Sequence, residues 1–142
     1  DLGIPVKGLR THEPSSDFFY RMVRAAGGAE AFYSRVYVHA ICPLGFVKGG
    51  VNLNYYDDKA LERAVTPFVE RWLRTLVKCG MRSDAVLIIG TGKNAAYFSK
   101  LNERLGLFDR IIALEHPRYV MQYKARSLGL YIDKYLQALV GA

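Results

Sequence analysis

Apolar positions along the chain follow two alternating rhythms, helical spacing and short continuous runs. Phe18, Phe19, Met22, Val23 and Ala26 recur at helical spacing after Ser15-Ser16. A first helix is therefore expected, capped by Ser15 or Ser16 and ended by Gly27-Gly28. A short helical turn follows around Ala29 to Tyr33. Arg35-Val36-Tyr37-Val38-His39-Ala40-Ile41 reads as a strand stopped by Cys42-Pro43, and Leu44 to Tyr56, with Gly45, Gly49 and Gly50, reads as a long loop. Loops of that length in compact domains tend to be functional. Asp57 or Asp58 opens a long helix facing inward through Leu61, Val65, Phe68, Trp72, Leu76 and Val77. Pro67 is expected to kink or divide it, since an interior proline costs about 3 kcal/mol, with Thr66 capping the second piece. Ala85 to Ile89 is a second strand, and Gly90-Thr91-Gly92-Lys93 turns into a helix carrying Tyr97, Phe98, Leu101 and Leu105. Arg110 to Glu115 is a third strand, and Leu128 to Leu139 a last helix.

The order α-β-α-β-α-β-α predicts a three-layer α/β/α domain, over residues 1–142, with a parallel sheet between helices. So few strands, in a chain that opens at Asp1, lead to the expectation that an amino-terminal part of the domain precedes it. Open sheets of this kind bind ligands beyond the carboxyl ends of their strands. His116-Pro117-Arg118 falls at such an end, where Pro117 holds the preceding backbone out of helix and His116 can donate a hydrogen bond near neutral pH.

Composition narrows the partners. The 142 residues hold 20 Lys and Arg against 13 Asp and Glu, a net charge of +7. Such an excess favours polyanions, nucleic acid first among them. The basic residues are dispersed, so a binding face must be assembled by folding. No apolar run reaches the roughly 18 residues of a membrane span, and no membrane partner is expected. Cys42 and Cys79 lack metal or disulfide spacing, which predicts a reducing, cytoplasmic setting without a metal.

The glycine turn admits a competing function. Val86 to Gly92 looks like the first turn of a Rossmann-type, S-adenosylmethionine-binding methyltransferase, with Glu115 where a ribose-binding carboxylate would stand. Against it, Asn94 replaces the third glycine and only one helix follows Glu115. A Walker phosphate loop fails on spacing. The turn's backbone amides and Lys93 remain suited to a single phosphate.

Taken together, the phrases Thr11-His12-Glu13-Pro14-Ser15-Ser16, Phe18-Phe19-Tyr20, Val38-His39-Ala40-Ile41-Cys42-Pro43-Leu44, Asn52-Leu53, Gly90-Thr91-Gly92-Lys93 and His116-Pro117-Arg118 occur in an order that resembles the single-strand-selective monofunctional uracil-DNA glycosylases. These are a branch of the uracil-DNA glycosylase superfamily, and bacterial homologues of that branch look closest. The resemblance runs from about Thr11 to the carboxyl end.

The resemblance implies DNA as partner, no organic cofactor and hydrolysis of the bond between sugar and a flipped base. It makes His116 the catalytic donor to the base oxygen that gathers negative charge. His39, Ala40, Cys42 and Pro43 would line the base pocket. Ser15, Ser16, Gly92 and Lys93 would contact phosphates, and Arg118, Tyr119 and Gln122 would form a wedge at the duplex, with Lys124 beside it. The chain is expected to act as a monomer. Two positions depart from the family. Ala40 stands where the base-reading asparagine belongs and cannot make paired amide hydrogen bonds. Arg118 replaces the serine after His-Pro. A Gly-x-Asn-Pro-Gly-like loop that positions the attacking water has no match, so the chain alone is expected to excise little. A non-catalytic DNA-binding relative remains an alternative.

Overall fold

A computed structural model of the chain describes residues 13–142. Thr11 and His12 lie outside the described residues. The centre is a parallel pair of strands, β3 (Val86–Ile89) and β4 (Ile111–Leu114), in register from Val86 opposite Ile111 to Ile89 opposite Leu114. Successive side chains of a strand point to opposite faces, and this separates two cores. Val86, Ile88 and Ile111 pack with Val65, Val69, Leu73, Phe98 and Leu101 on α3 (Lys59–Lys78) and α4 (Lys93–Leu105). Leu87, Ile112 and Leu114 pack on the other side. There they meet Phe18, Met22 and Val23 of α1 (Pro14–Ala25), Phe32 of α2 (Gly28–Tyr33), Val120 of α5 (Pro117–Tyr123) and Tyr135 of α6 (Leu128–Val140). The α/β class and the three layers are thus as the pattern predicts. Phe18, fully buried, meets Tyr135 edge to face at 5.0 Å.

The sheet is narrower than expected. Val36 to Ile41 belongs to no ladder among the described residues. Only the ends of this segment are anchored, Val36 in one core and Ile41 and Cys42 in the other, while Tyr37, Val38 and Ala40 between them are exposed. A strand, however, is defined by a neighbour's backbone, and none is paired here. The stretch read as a long loop contains an antiparallel hairpin instead, β1 (Phe46–Lys48) and β2 (Val51–Leu53). Gly49 and Gly50 form its turn with φ of 59° and 78°, the left-handed values that tight hairpins require.

Two further expectations are corrected. Helix α3 runs unbroken through Pro67, because that residue lies on the exposed face, where water can satisfy the carbonyl left without a partner. Glu13, not Ser15 or Ser16, caps α1: its carboxylate accepts the Ser16 N–H, and Pro14 takes the first helical position. His116 caps α5, and Pro117 again takes the first helical position.

Candidate functional site

The segments leaving the carboxyl ends of the two parallel strands are tied together. The Gly90 N–H donates to the Leu114 carbonyl at 2.7 Å, which brings the glycine turn beside His116. Gly90 has φ of +108°, and a Cβ there would lie 4.0 Å from the His116 ring. A hollow of about 340 Å³ opens here, lined by Tyr56, Ile89, Gly90, Gly92, Lys93, Asn94 and His116.

His116 is extended (φ −63°, ψ 134°), and its Nδ1 accepts the Arg118 backbone N–H at 3.1 Å. An accepting Nδ1 carries no proton, so the neutral ring keeps its proton on Nε2 and presents a donor. Desolvation lowers the pKa of His116 from the ordinary histidine value; Glu13 opposes the shift and Arg118 adds to it. The neutral donor form therefore prevails around pH 7.

The opposite wall is built by a 3₁₀ turn at Tyr55–Asp57 that follows the hairpin. Tyr55 is buried, and its hydroxyl donates to Asn94 Oδ1 at 2.5 Å. Burial pushes the phenol pKa well above its usual value, so it stays a donor. Tyr56 and Tyr97 pack edge-on against the Tyr55 ring at 5.1 and 5.0 Å. Lys93 is engaged, donating to Asp57 at 2.7 Å; that bond, together with one from Asn54, holds the Asp57 carboxyl below the usual range.

Of the expected site residues, His116, Gly92 and Lys93 share the hollow. Arg118 is exposed at the start of α5 and interacts electrostatically with Glu13. Ser15 and Ser16 lie in the first turn of α1, but their hydroxyls are committed, Ser15 to the Glu13 carboxylate at 2.9 Å and Ser16 to the Glu13 carbonyl at 2.7 Å. Tyr119, Gln122 and Lys124 are exposed, and the Tyr119 ring pairs with Tyr123 at 5.4 Å. His39, Ala40, Cys42 and Pro43 do not line the hollow. His39 stacks on Tyr37 at 5.4 Å and meets Trp72 edge-on at 6.3 Å. Cys42 is buried in the same core as Tyr55, behind the wall, while Ala40 and Pro43 are exposed.

Sequence reasoning missed Glu13, Tyr55, Tyr56 and Asn94 as parts of this site. Glu13 was legible as the residue before Pro14, the position a cap takes. Nothing in the sequence pairs Tyr55 with Asn94, because the contact spans 39 positions.

A second hollow of about 400 Å³ lies between α3 and α4, lined among others by Lys59, Glu62, Thr66, Lys100 and Arg104. Several of its ions are paired, Lys59 with Glu62 and Arg104 with Glu70. Among the described residues no group of three or more His, Cys, Asp or Glu is gathered for a metal ion. No helix among them is long and apolar enough to cross a membrane.

A parallel sheet flanked on both faces by helices, with a histidine donor and a glycine turn at its carboxyl edge, defines an α/β domain of three layers. The chain belongs to the uracil DNA glycosylase superfamily, whose family model matches residues 7–140. Its fold is similar to the crystal structure of wild-type SMUG2 from Pedobacter heparinus, with a TM-score of 0.87 and 46% sequence identity. That likeness covers 97% of this chain and 61% of the Pedobacter chain, so this chain spans less than two thirds of that length. None of the curated proteins matches it. Membership removes the methyltransferase reading of the glycine turn, and Glu115 is in any case held by Lys134 through both carboxylate oxygens at 2.9 Å.

Proposed function

We propose that this protein binds DNA, seats a flipped damaged base such as uracil in the hollow beside His116, and hydrolyses its N-glycosidic bond. The single observation that carries the reading is the Arg118 N–H bonded to His116 Nδ1, which fixes the Nε2–H as a donor at the edge of the hollow. When the glycosidic bond breaks, its electron pair leaves with the base and gathers on the base oxygens, while the sugar becomes cationic. A preset donor at that oxygen is worth more in the transition state than in the ground state. Water then adds to the sugar carbon, and its proton is taken up by the departing base.

The surroundings suit a DNA backbone. The free amides at the start of α4, Lys93 and Arg118 favour phosphate. The exposed rings of Tyr119 and Tyr123 offer surfaces on which bases stack. A non-catalytic DNA-binding relative is the second reading, favoured by Ala40, which lacks an amide and lies away from the hollow.

Fluorescence anisotropy with labelled oligonucleotides tests the proposal. Binding at low salt that weakens steeply as salt rises is expected, because phosphate contacts release counterions. Absence of binding to both single- and double-stranded DNA at low salt overturns it. Excision of uracil by the full-length protein in a gel assay separates the catalytic reading from the non-catalytic one.

A further inference from the structure

Asn94 occupies a position that the glycine-turn reading treated only as a missing glycine. It lines the same hollow as His116. Its Oδ1 is taken by the Tyr55 hydroxyl at 2.5 Å, and that hydroxyl has no other hydrogen-bond partner among the described residues. A buried hydroxyl with one neighbour must donate to it or leave its proton unsatisfied, which costs more than the bond is worth. The direction of the bond therefore fixes the orientation of the amide. The amide's NH₂ group makes no hydrogen bond within the described protein.

Resting on the base-seating reading above, we propose that Asn94 is a specificity residue that reads the base, its donor held in place by Tyr55. Asn94 would thus supply the amide that Ala40 lacks. Two donors then border the hollow, the His116 Nε2–H and the Asn94 NH₂. Such a pair selects a base with carbonyl oxygens toward both, as uracil has. A base with an exocyclic amine at one of those places, as in cytosine, sets donor against donor and leaves both unpaired. Tyr55 touches no base in this scheme. It is a positioning residue that stops the amide from rotating to offer its oxygen.

The test uses the full chain and labelled single-stranded oligonucleotides that differ only at one central position: uracil, cytosine or a tetrahydrofuran abasic analogue. Wild-type protein is expected to bind the uracil strand more tightly than the cytosine strand. Asn94→Ala should weaken uracil binding roughly tenfold, the scale of one lost hydrogen bond, and leave the abasic strand unchanged. Asn94→Asp keeps the side chain's shape, so it guards against a folding artefact. It replaces the donor by an acceptor and should shift preference toward cytosine. Tyr55→Phe should erode the uracil preference by less than Asn94→Ala does, again without changing the abasic strand. A uracil preference retained in both Asn94 variants overturns the assignment while leaving the base-seating reading intact. A wild-type protein that binds all three strands alike overturns that reading, and this inference with it.

Discussion

His116 Nδ1 accepts the backbone N–H of Arg118, two residues further on, at 3.1 Å. The same bond caps α5 and selects the tautomer that turns a donor outward. Protonating the ring would put a second N–H against the Arg118 N–H, so this geometry and local desolvation both disfavour the cation.

The imidazole of His116 should therefore titrate below the ordinary value of 6.5. Between the folded and the ordinary pKa the unfolded chain binds more protons, so stability rises with pH through that window and is level above it. An NMR pH titration of the ring in wild-type protein checks the direction, with Glu13 and Arg118 as the charged groups facing it. A pKa above 6.5 would mean that Glu13 outweighs desolvation.

Gly90→Ala should destabilise the protein by about 1–2 kcal/mol, the cost of a left-handed conformation for a residue with a Cβ. The added Cβ would make only ordinary contact with the His116 ring at 4.0 Å, so the cost is backbone strain and not a clash. Urea denaturation of the variant measures it directly.

How much of this was legible depends on whether a feature is local. The continuous apolar runs Val86 to Ile89 and Ile111 to Leu114 were enough to place two buried strands between helices. The glycine and proline that end those strands put Gly90 and His116 on one edge. Pro67 misled because its cost depends on which face of the helix it takes. The segment from Val36 to Ile41 misled because its β-branched and aromatic residues suit a strand but say nothing of a neighbouring backbone, and without one Tyr37, Val38 and Ala40 stay exposed. Gly49-Gly50 between Phe46-Val47-Lys48 and Val51-Asn52-Leu53 did carry a hairpin signal that the surrounding glycines and asparagines obscured. The bond between Tyr55 and Asn94 is a tertiary fact, and no spacing rule reaches it.

In the full-length protein, His116→Ala should slow excision of uracil by roughly 10²–10³-fold, the loss typical of one missing charge-stabilising donor. Gel assays with protein in excess over a uracil-containing oligonucleotide provide the comparison. Activity untouched by the substitution would remove the mechanism.

Lys93 and Asp57 should act in opposite directions on DNA affinity. Lys93→Ala removes a phosphate partner and should weaken binding to all sequences alike, with a shallower dependence on salt. Asp57→Asn removes the anion that now holds Lys93 at 2.7 Å and should strengthen binding. Anisotropy titrations at several salt concentrations measure both. Equal weakening by the two variants would mean that the pair serves only to latch the Tyr55–Asp57 turn to α4.

The central claim is that the hollow beside His116 receives the base, and mapping by heteronuclear NMR tests it most directly. A uracil-containing oligonucleotide is added to isotope-labelled protein, and an otherwise identical cytosine strand serves as the reference. The account predicts that the differences between the two titrations concentrate in the amides of Gly90, Gly92 and Asn94 and in the His116 ring. Differences confined to Thr66, Lys100 and Arg104 around the other hollow, with His116 unmoved, would contradict it.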